Sequence, residues 1–153
     1  MVDCLGWADA AMGFVLAPKR IFRNLREECV EKTVLIVEDN ELNMRLFSDL
    51  VQAEGHKTLQ VRRGDEALDI IPAHRPDLVI MDVQIPGISG LEVTSRIKKD
   101  SNLASIPVLV VSAFAMVGDK EKIEESGCDG YITKPVDVTA FMKAVRIFLS
   151  KEE

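Results

Sequence analysis

The sequence predicts an α/β fold, a parallel sheet wound on both faces by helices. Two observations carry this. Short runs rich in Val, Ile and Leu recur without polar alternation, at Thr33 to Val37, Leu78 to Met81, Val108 to Val111 and Tyr131 to Thr133. Unbroken apolar runs of this length are what strands covered on both faces look like. Between them lie stretches whose apolar residues repeat at helical spacing, the alternation expected of parallel strands joined by crossover helices. A third observation bears on function: the runs stop on polar residues, Glu38-Asp39, Asp82, Ser112 and Lys134-Pro135 in turn. In an open parallel sheet the carboxyl ends of the strands lie along one edge, where ligands bind. Three carboxylates, a hydroxyl and an ammonium should therefore share one pocket.

The elements can be justified in order. After the first strand, Leu42, Leu46, Phe47, Leu50 and Val51 repeat at helical spacing, and Gly55 closes the helix. Lys57 to Val61 alternates, with Leu59 and Val61 on one face, as an edge strand would. A helix from Asp65 through Ile71 leads to the strand that ends at Asp82. Ser89 is placed to cap a helix running to about Lys99, and Pro107 starts the fourth strand. The next helix, from about Gly118 to Ser126, has few apolar positions beyond Ile123 and should be held less firmly than the others; Gly127 ends it. Val138, Phe141, Met142, Val145, Phe148 and Leu149 form one stripe on the last helix, which is core packing. Five strands and five helices in this alternation give the doubly wound, flavodoxin-like sheet order 2-1-3-4-5.

The pocket's chemistry follows from its residue types. Crowded carboxylates repel unless a cation is present, and oxygen ligands favour a hard ion such as Mg²⁺. A metal held by carboxylates, a lysine point charge and a hydroxyl donor suit a phosphoryl group, whose charge lies on its outer oxygens. An aspartate can itself be the nucleophile, giving an aspartyl phosphate. Singly, these residues have plainer explanations: Asp39 as a helix cap, Ser112 as a turn residue, Lys134 as a solvated strand end. Asp82 fits none of them, because Val83-Gln84-Ile85-Pro86-Gly87 follows it and no helix begins there for it to cap.

The segments Val37-Glu38-Asp39-Asn40, Met81-Asp82-Val83-Gln84-Ile85-Pro86-Gly87, Val111-Ser112-Ala113 and Gly130-Tyr131-Ile132-Thr133-Lys134-Pro135 resemble, in residues and in spacing, the receiver domain of two-component response regulators. The resemblance runs from about Lys32 to Leu149. It is narrower toward single-domain regulators of cell division and polarity, on Leu35 to Met44 and on Ser112-Ala113-Phe114-Ala115-Met116. It implies that Asp82 is the phosphorylated aspartate, that Glu38 and Asp39 are the acidic pair around Mg²⁺, and that Ser112 and Lys134 are the conserved hydroxyl and lysine. Asp39 and Asp82 would ligate the metal directly, the longer Glu38 through a water, and the backbone carbonyl of Gln84 would complete the set. Ser112 and Tyr131 would form the switch that carries the phosphorylation state to the surface, and Lys134-Pro135 would be joined in cis. Glu38 in place of Asp and Ser112 in place of Thr lie within the family's usual range.

Composition agrees with such a domain. The 153 residues are 47% hydrophobic and 29% charged, enough for one substantial core. A net charge of -6 argues against a nucleic-acid surface, which needs clustered Lys and Arg. Only Ser150-Lys151-Glu152-Glu153 follows the last helix, so output is expected through protein contact, with sensor histidine kinases, phosphatases and protein targets as partners of a monomer. Cys4, Cys29 and Cys128 are odd in number and lack metal-ligand spacing, which fits reduced thiols in the cytoplasm. The resemblance implies in addition that partner kinases can recruit the protein to cell poles.

Residues 1–31 stand outside the pattern. Asp3 and Asp9 interrupt an apolar stretch without the basic start of a secretory signal and too short to span a membrane. A disordered tail or an upstream start site is expected there, with the receiver domain over 32–150. Two competing functions are a binding module of the same fold that works without phosphate, and an aspartyl-phosphate hydrolase of the haloacid dehalogenase type. The first would be favoured by loss of Asp82 or Lys134, both of which are present. The second needs an aspartate two residues after the nucleophile, where this chain has Gln84. The protein is therefore expected to accept phosphate on itself and not to be a turnover enzyme.

Overall fold

The computed structural model describes residues 30–113 and 117–150. Residues 1–29 of the expected extension, and Phe114, lie outside the described residues. Within them strands and helices alternate: β1 (Thr33–Val37), α1 (Glu41–Ala53), β2 (Lys57–Val61), α2 (Gly64–His74), β3 (Leu78–Asp82), α3 (Gly90–Lys99), β4 (Val108–Ser112), α4 (Val117–Glu125), β5 (Gly130–Thr133) and α5 (Val138–Ser150). The strands are all parallel and lie in the order β2-β1-β3-β4-β5, as expected from the sequence.

The two-sided covering explains the unbroken apolar runs. Alternate residues of the strands enter opposite cores. Leu35, Val37, Val79, Met81, Val108 and Val110 pack with Ala67 and Ile71 of α2, Val93 and Ile97 of α3, and Ile123 of α4. Val34, Ile36, Leu78, Ile80, Leu109 and Val111 pack with α1 and α5, where the rings of Phe47 and Phe141 stack with centroids 4.9 Å apart. β3 and β4 are buried at every position. The edge strand β2 buries only Val61 fully, with Leu59 partly covered on the same side.

Three helices differ from the sequence reading. On α1 the buried stripe is Met44, Phe47, Ser48 and Val51, with Leu42 at 78% and Leu46 at 39% exposure. Leu42 and Leu46 each lie two residues from Met44, about 200° around the helix, so they cannot share its face. α2 does not stop at Ile71 but continues through Pro72 to His74, and its last turn is closed by the Arg75 N–H on the Ile71 carbonyl at 2.8 Å. On α5 the stripe buries Phe141, Met142, Val145 and Leu149, with Phe148 partly covered, while Val138 at its start is 45% exposed.

Away from the strand ends that carry the motifs, Lys98 ties three segments together. Its Nζ donates to the carbonyls of Ala104 and Ile106 at 3.0 and 2.7 Å and pairs with Asp129 Oδ2 at 2.7 Å. The same carboxylate oxygen accepts the Val108 N–H at 2.8 Å. The start of β4, the end of α3 and the approach to β5 are thereby held to one another.

Candidate functional site

Strand register places the polar ends side by side. Val37 lies opposite Met81, Asp82 opposite Val111, and Ser112 opposite Thr133. The residues that follow or close these strands, Glu38, Asp82, Ser112 and Lys134, therefore meet on one edge of the sheet.

Glu38 is seated first by its backbone, whose N–H donates to the Val61 carbonyl at 3.1 Å. Its Oε1 accepts the Asn40 N–H at 3.0 Å and its Oε2 lies 3.1 Å from Lys134 Nζ. Lys134 Nζ reaches Asp82 Oδ2 at 3.2 Å, and Asp82 Oδ1 accepts the Gln84 N–H at 3.3 Å. One ammonium thus bridges two buried carboxylates. Asp39 completes the cluster from the solvent side, each of the three residues offering a carboxylate oxygen within 4.8 Å of the others. Asp39 is exposed and does not cap α1. That role falls to Asn40, whose Oδ1 accepts the Asn43 N–H at 3.0 Å.

The charge balance of the pocket has a physical signature. Burial pushes the Glu38 carboxyl above its ordinary value; the Asn40 N–H and the Lys134 ammonium oppose that, while nearby Asp82 adds to it. Burial alone would lower the Lys134 ammonium, but the Asp82 charge and the hydrogen bond to Glu38 outweigh it, and Lys134 is raised. Burial and the Asp82 charge raise Glu38, while the carboxylates of Asp82 and Glu38 together raise Lys134. A pocket with excess negative charge, all-oxygen donors and one open side fits a hard divalent cation.

Ser112 is fully buried at the end of β4, and its carbonyl accepts the Lys134 N–H at 2.7 Å. The Lys134-Pro135 bond is cis. Tyr131, on β5, is half-buried against the core beneath α2, α3 and α4. Gln84 is exposed, and its N–H is the hydrogen bond to Asp82 already described.

The close fit beneath the site was not evident in the sequence. Gly90, the first residue of α3, lies against the Asp82 carbonyl so closely that a side chain would collide with it, and its N–H donates to the Val83 carbonyl at 3.1 Å. A glycine just after the Ser89 cap was the available signal. The cap itself forms, with Ser89 Oγ accepting the Glu92 N–H at 3.3 Å.

A model of the response regulator receiver domain matches residues 34–146. The chain belongs to that family. This receiver is 53% identical over 118 residues to the polar-differentiation response regulator DivK of Brucella anthropi, a match covering 77% of this chain and 96% of that protein. The signal receiver domain of a signal transduction histidine kinase from Syntrophus aciditrophicus superposes with a TM-score of 0.74 at 31% identity, over 78% of this chain and 90% of that one. The phosphorylated cyanobacterial phytochrome response regulator RcpA superposes with a TM-score of 0.68 at 30% identity, over 76% and 90%. Among the described residues no helix of this receiver is long and apolar enough to cross a membrane.

Proposed function

We propose that this receiver takes a phosphoryl group from a histidine kinase onto Asp82 in an Mg²⁺-dependent reaction and signals by altered protein binding, in cell-cycle or cell-division control. The observation that carries this reading is the Lys134 ammonium bridging Asp82 and Glu38, 3.2 and 3.1 Å away, beside the open carboxylate of Asp39. The likeness to DivK supports the cell-cycle role and recruitment to cell poles, and the phosphorylated RcpA structure supports the chemistry.

Asp39, Asp82, Glu38 and the Gln84 carbonyl would hold the metal, whose charge would screen the incoming phosphoryl oxygens from the carboxylates. An Asp82 oxygen attacks phosphorus, forming an O–P bond. The P–N bond to the donor histidine breaks, and its electron pair returns to the imidazole. Lys134 then leaves its bridging position to neutralise phosphoryl oxygens, and Ser112 donates a hydrogen bond to one of them. No further substrate is turned over, so the protein is a cytoplasmic signalling component and not an enzyme acting on other molecules.

Acetyl phosphate with Mg²⁺ should add one phosphoryl group, read by intact-mass spectrometry. Asp82→Asn, or omission of Mg²⁺, should abolish the adduct. Equal modification of the Asp82→Asn variant would overturn the assignment.

A further inference from the structure

The loop that leaves Asp82, residues 83–89, is held from a second element. Gly64, the first residue of α2, donates its N–H to the Pro86 carbonyl at 3.1 Å. The α-carbon of Gly64 lies against the Ile88 carbonyl, leaving no room for a side chain. Gly87, at φ +80°, brings its bare α-carbon against the Asp65 carboxylate, and a side chain there would lie 3.2 Å from Arg63 Nη2. Arg63 Nε and Asp65 Oδ1 are themselves paired at 3.1 Å. The start of α2 also lacks a side-chain cap: Arg63 occupies the cap position and makes no capping hydrogen bond. The first turn of the helix thus donates to the neighbouring loop where a cap residue would ordinarily accept from it.

We propose that the start of α2, Gly64 with the Arg63 and Asp65 pair, positions loop 83–89 and thereby sets the affinity of the acidic cluster for its divalent cation. The inference rests on the reading of Glu38, Asp39, Asp82 and the Gln84 carbonyl as a cation site. Gln84 is two residues from the phosphoacceptor, and its N–H already bonds Asp82 Oδ1. Its peptide is fixed on one side by Val83, whose N–H donates to the Val111 carbonyl at 3.2 Å and whose carbonyl accepts the Gly90 N–H at 3.1 Å. On the other side, among the described residues, it is held by Ile85 and Ile88, half-buried against the core, and by the Pro86 and Gly87 contacts with α2. Loosening that second anchor frees the carbonyl while leaving every carboxylate in place. Arg63 and Asp65 are positioning residues: they act on the loop and touch neither cation nor phosphoryl group. The ion pair is about half exposed, so its own contribution to stability is small, and its effect falls on where the loop sits.

The test is Mg²⁺ titration by isothermal calorimetry of the parent, Gly64→Ala and Asp65→Ala, with Lys98→Met as a control. Lys98 stabilises the region where β4 starts and touches no site residue. Gly64→Ala should weaken Mg²⁺ binding about 10-fold or more, the usual loss when a residue supporting metal ligands is removed, and Asp65→Ala should shift it the same way by less. The Mg²⁺ concentration giving half-maximal phosphorylation should rise in step, with the rate recovering at saturating Mg²⁺. Lys98→Met should lower the melting temperature and leave the Mg²⁺ affinity unchanged. Parental affinity in Asp65→Ala, a surface change that does not threaten folding, would overturn the inference and leave the cation site standing. A parent that binds no Mg²⁺ would overturn the site and the inference together.

Discussion

Glu38 shows how a single residue at this site trades stability for a poised charge. It is 1% exposed, faces Asp82, and its carboxyl is raised above the ordinary value of 4.5 chiefly by burial. A group whose folded pKa is raised contributes stability that is fully present below its unfolded pKa and lost as pH rises through the folded one. Metal-free protein should therefore carry an uncompensated cost at neutral pH, and Glu38→Gln, which mimics the protonated acid, should melt higher than the parent at about pH 8. The difference should shrink as pH falls below the ordinary value of 4.5, where the unfolded chain's Glu38 is increasingly protonated as well. A variant that melts lower than the parent at pH 8 without metal would contradict this. The same sign governs cation binding: protonated Glu38 weakens the site, so Mg²⁺ affinity should rise with pH until Glu38 is ionised. Calorimetry at about pH 5 and pH 8 reads this directly.

At the level of elements, two side chains hold helices whose ends the apolar pattern alone does not fix. Asn40 caps α1 and frees Asp39 for the cluster, so Asn40→Ala should cost about 1 kcal/mol in urea denaturation. Phosphorylation at saturating Mg²⁺ should persist in that variant, because the Glu38 contact uses the Asn40 backbone N–H. Lys98→Met should cost about 1 to 3 kcal/mol, since it strands two carbonyls and the Asp129 carboxylate; the partial exposure of Asp129 keeps the loss below that of a fully buried pair. A change within error would show that water replaces the ammonium at no cost. Helical spacing locates α1, yet Leu42 and Leu46 satisfy that spacing while facing solvent, because the buried face centres on Met44 and Phe47. α2 runs past the expected Ile71, through Pro72 to His74, and the Arg75 N–H bond to the Ile71 carbonyl closes that last turn.

For the whole molecule, the site matters only if its state reaches a surface. Ser112 closes β4 beneath the pocket, and Tyr131 lies on the adjacent strand, half-buried on the face covered by α2, α3 and α4. In the proposed function, a two-state rearrangement of this pair, biased by the phosphoryl group, would produce the output. Coupling of about 1 to 3 kcal/mol would tighten or loosen partner binding roughly 5-fold to 150-fold. Titration of a cognate kinase or adaptor against free and beryllofluoride-bound protein reads it, and Tyr131→Ala should shrink the difference while leaving phosphorylation intact. Equal affinities for both forms of the parent would remove the switch.

The α/β fold class is legible in the sequence alone, as is the convergence of Asp82, Ser112 and Lys134 on one sheet edge; the order 2-1-3-4-5 needs the family resemblance as well, since alternating strands and helices admit other orders. Short unbroken apolar runs suit strands covered on both faces, and a parallel sheet brings the ends of those runs to one edge. Asp82, Ser112 and Lys134 were legible because each interrupts or ends such a run. The tertiary structure decided what each group does with its neighbours: that Asn40 and not Asp39 caps α1, that Lys134 bridges two buried carboxylates, and that Gly64 and Gly90 leave room for the backbone around Asp82. These depend on contacts between residues up to 96 positions apart. Local periodicity records which face of an element is buried, but not what lies against it.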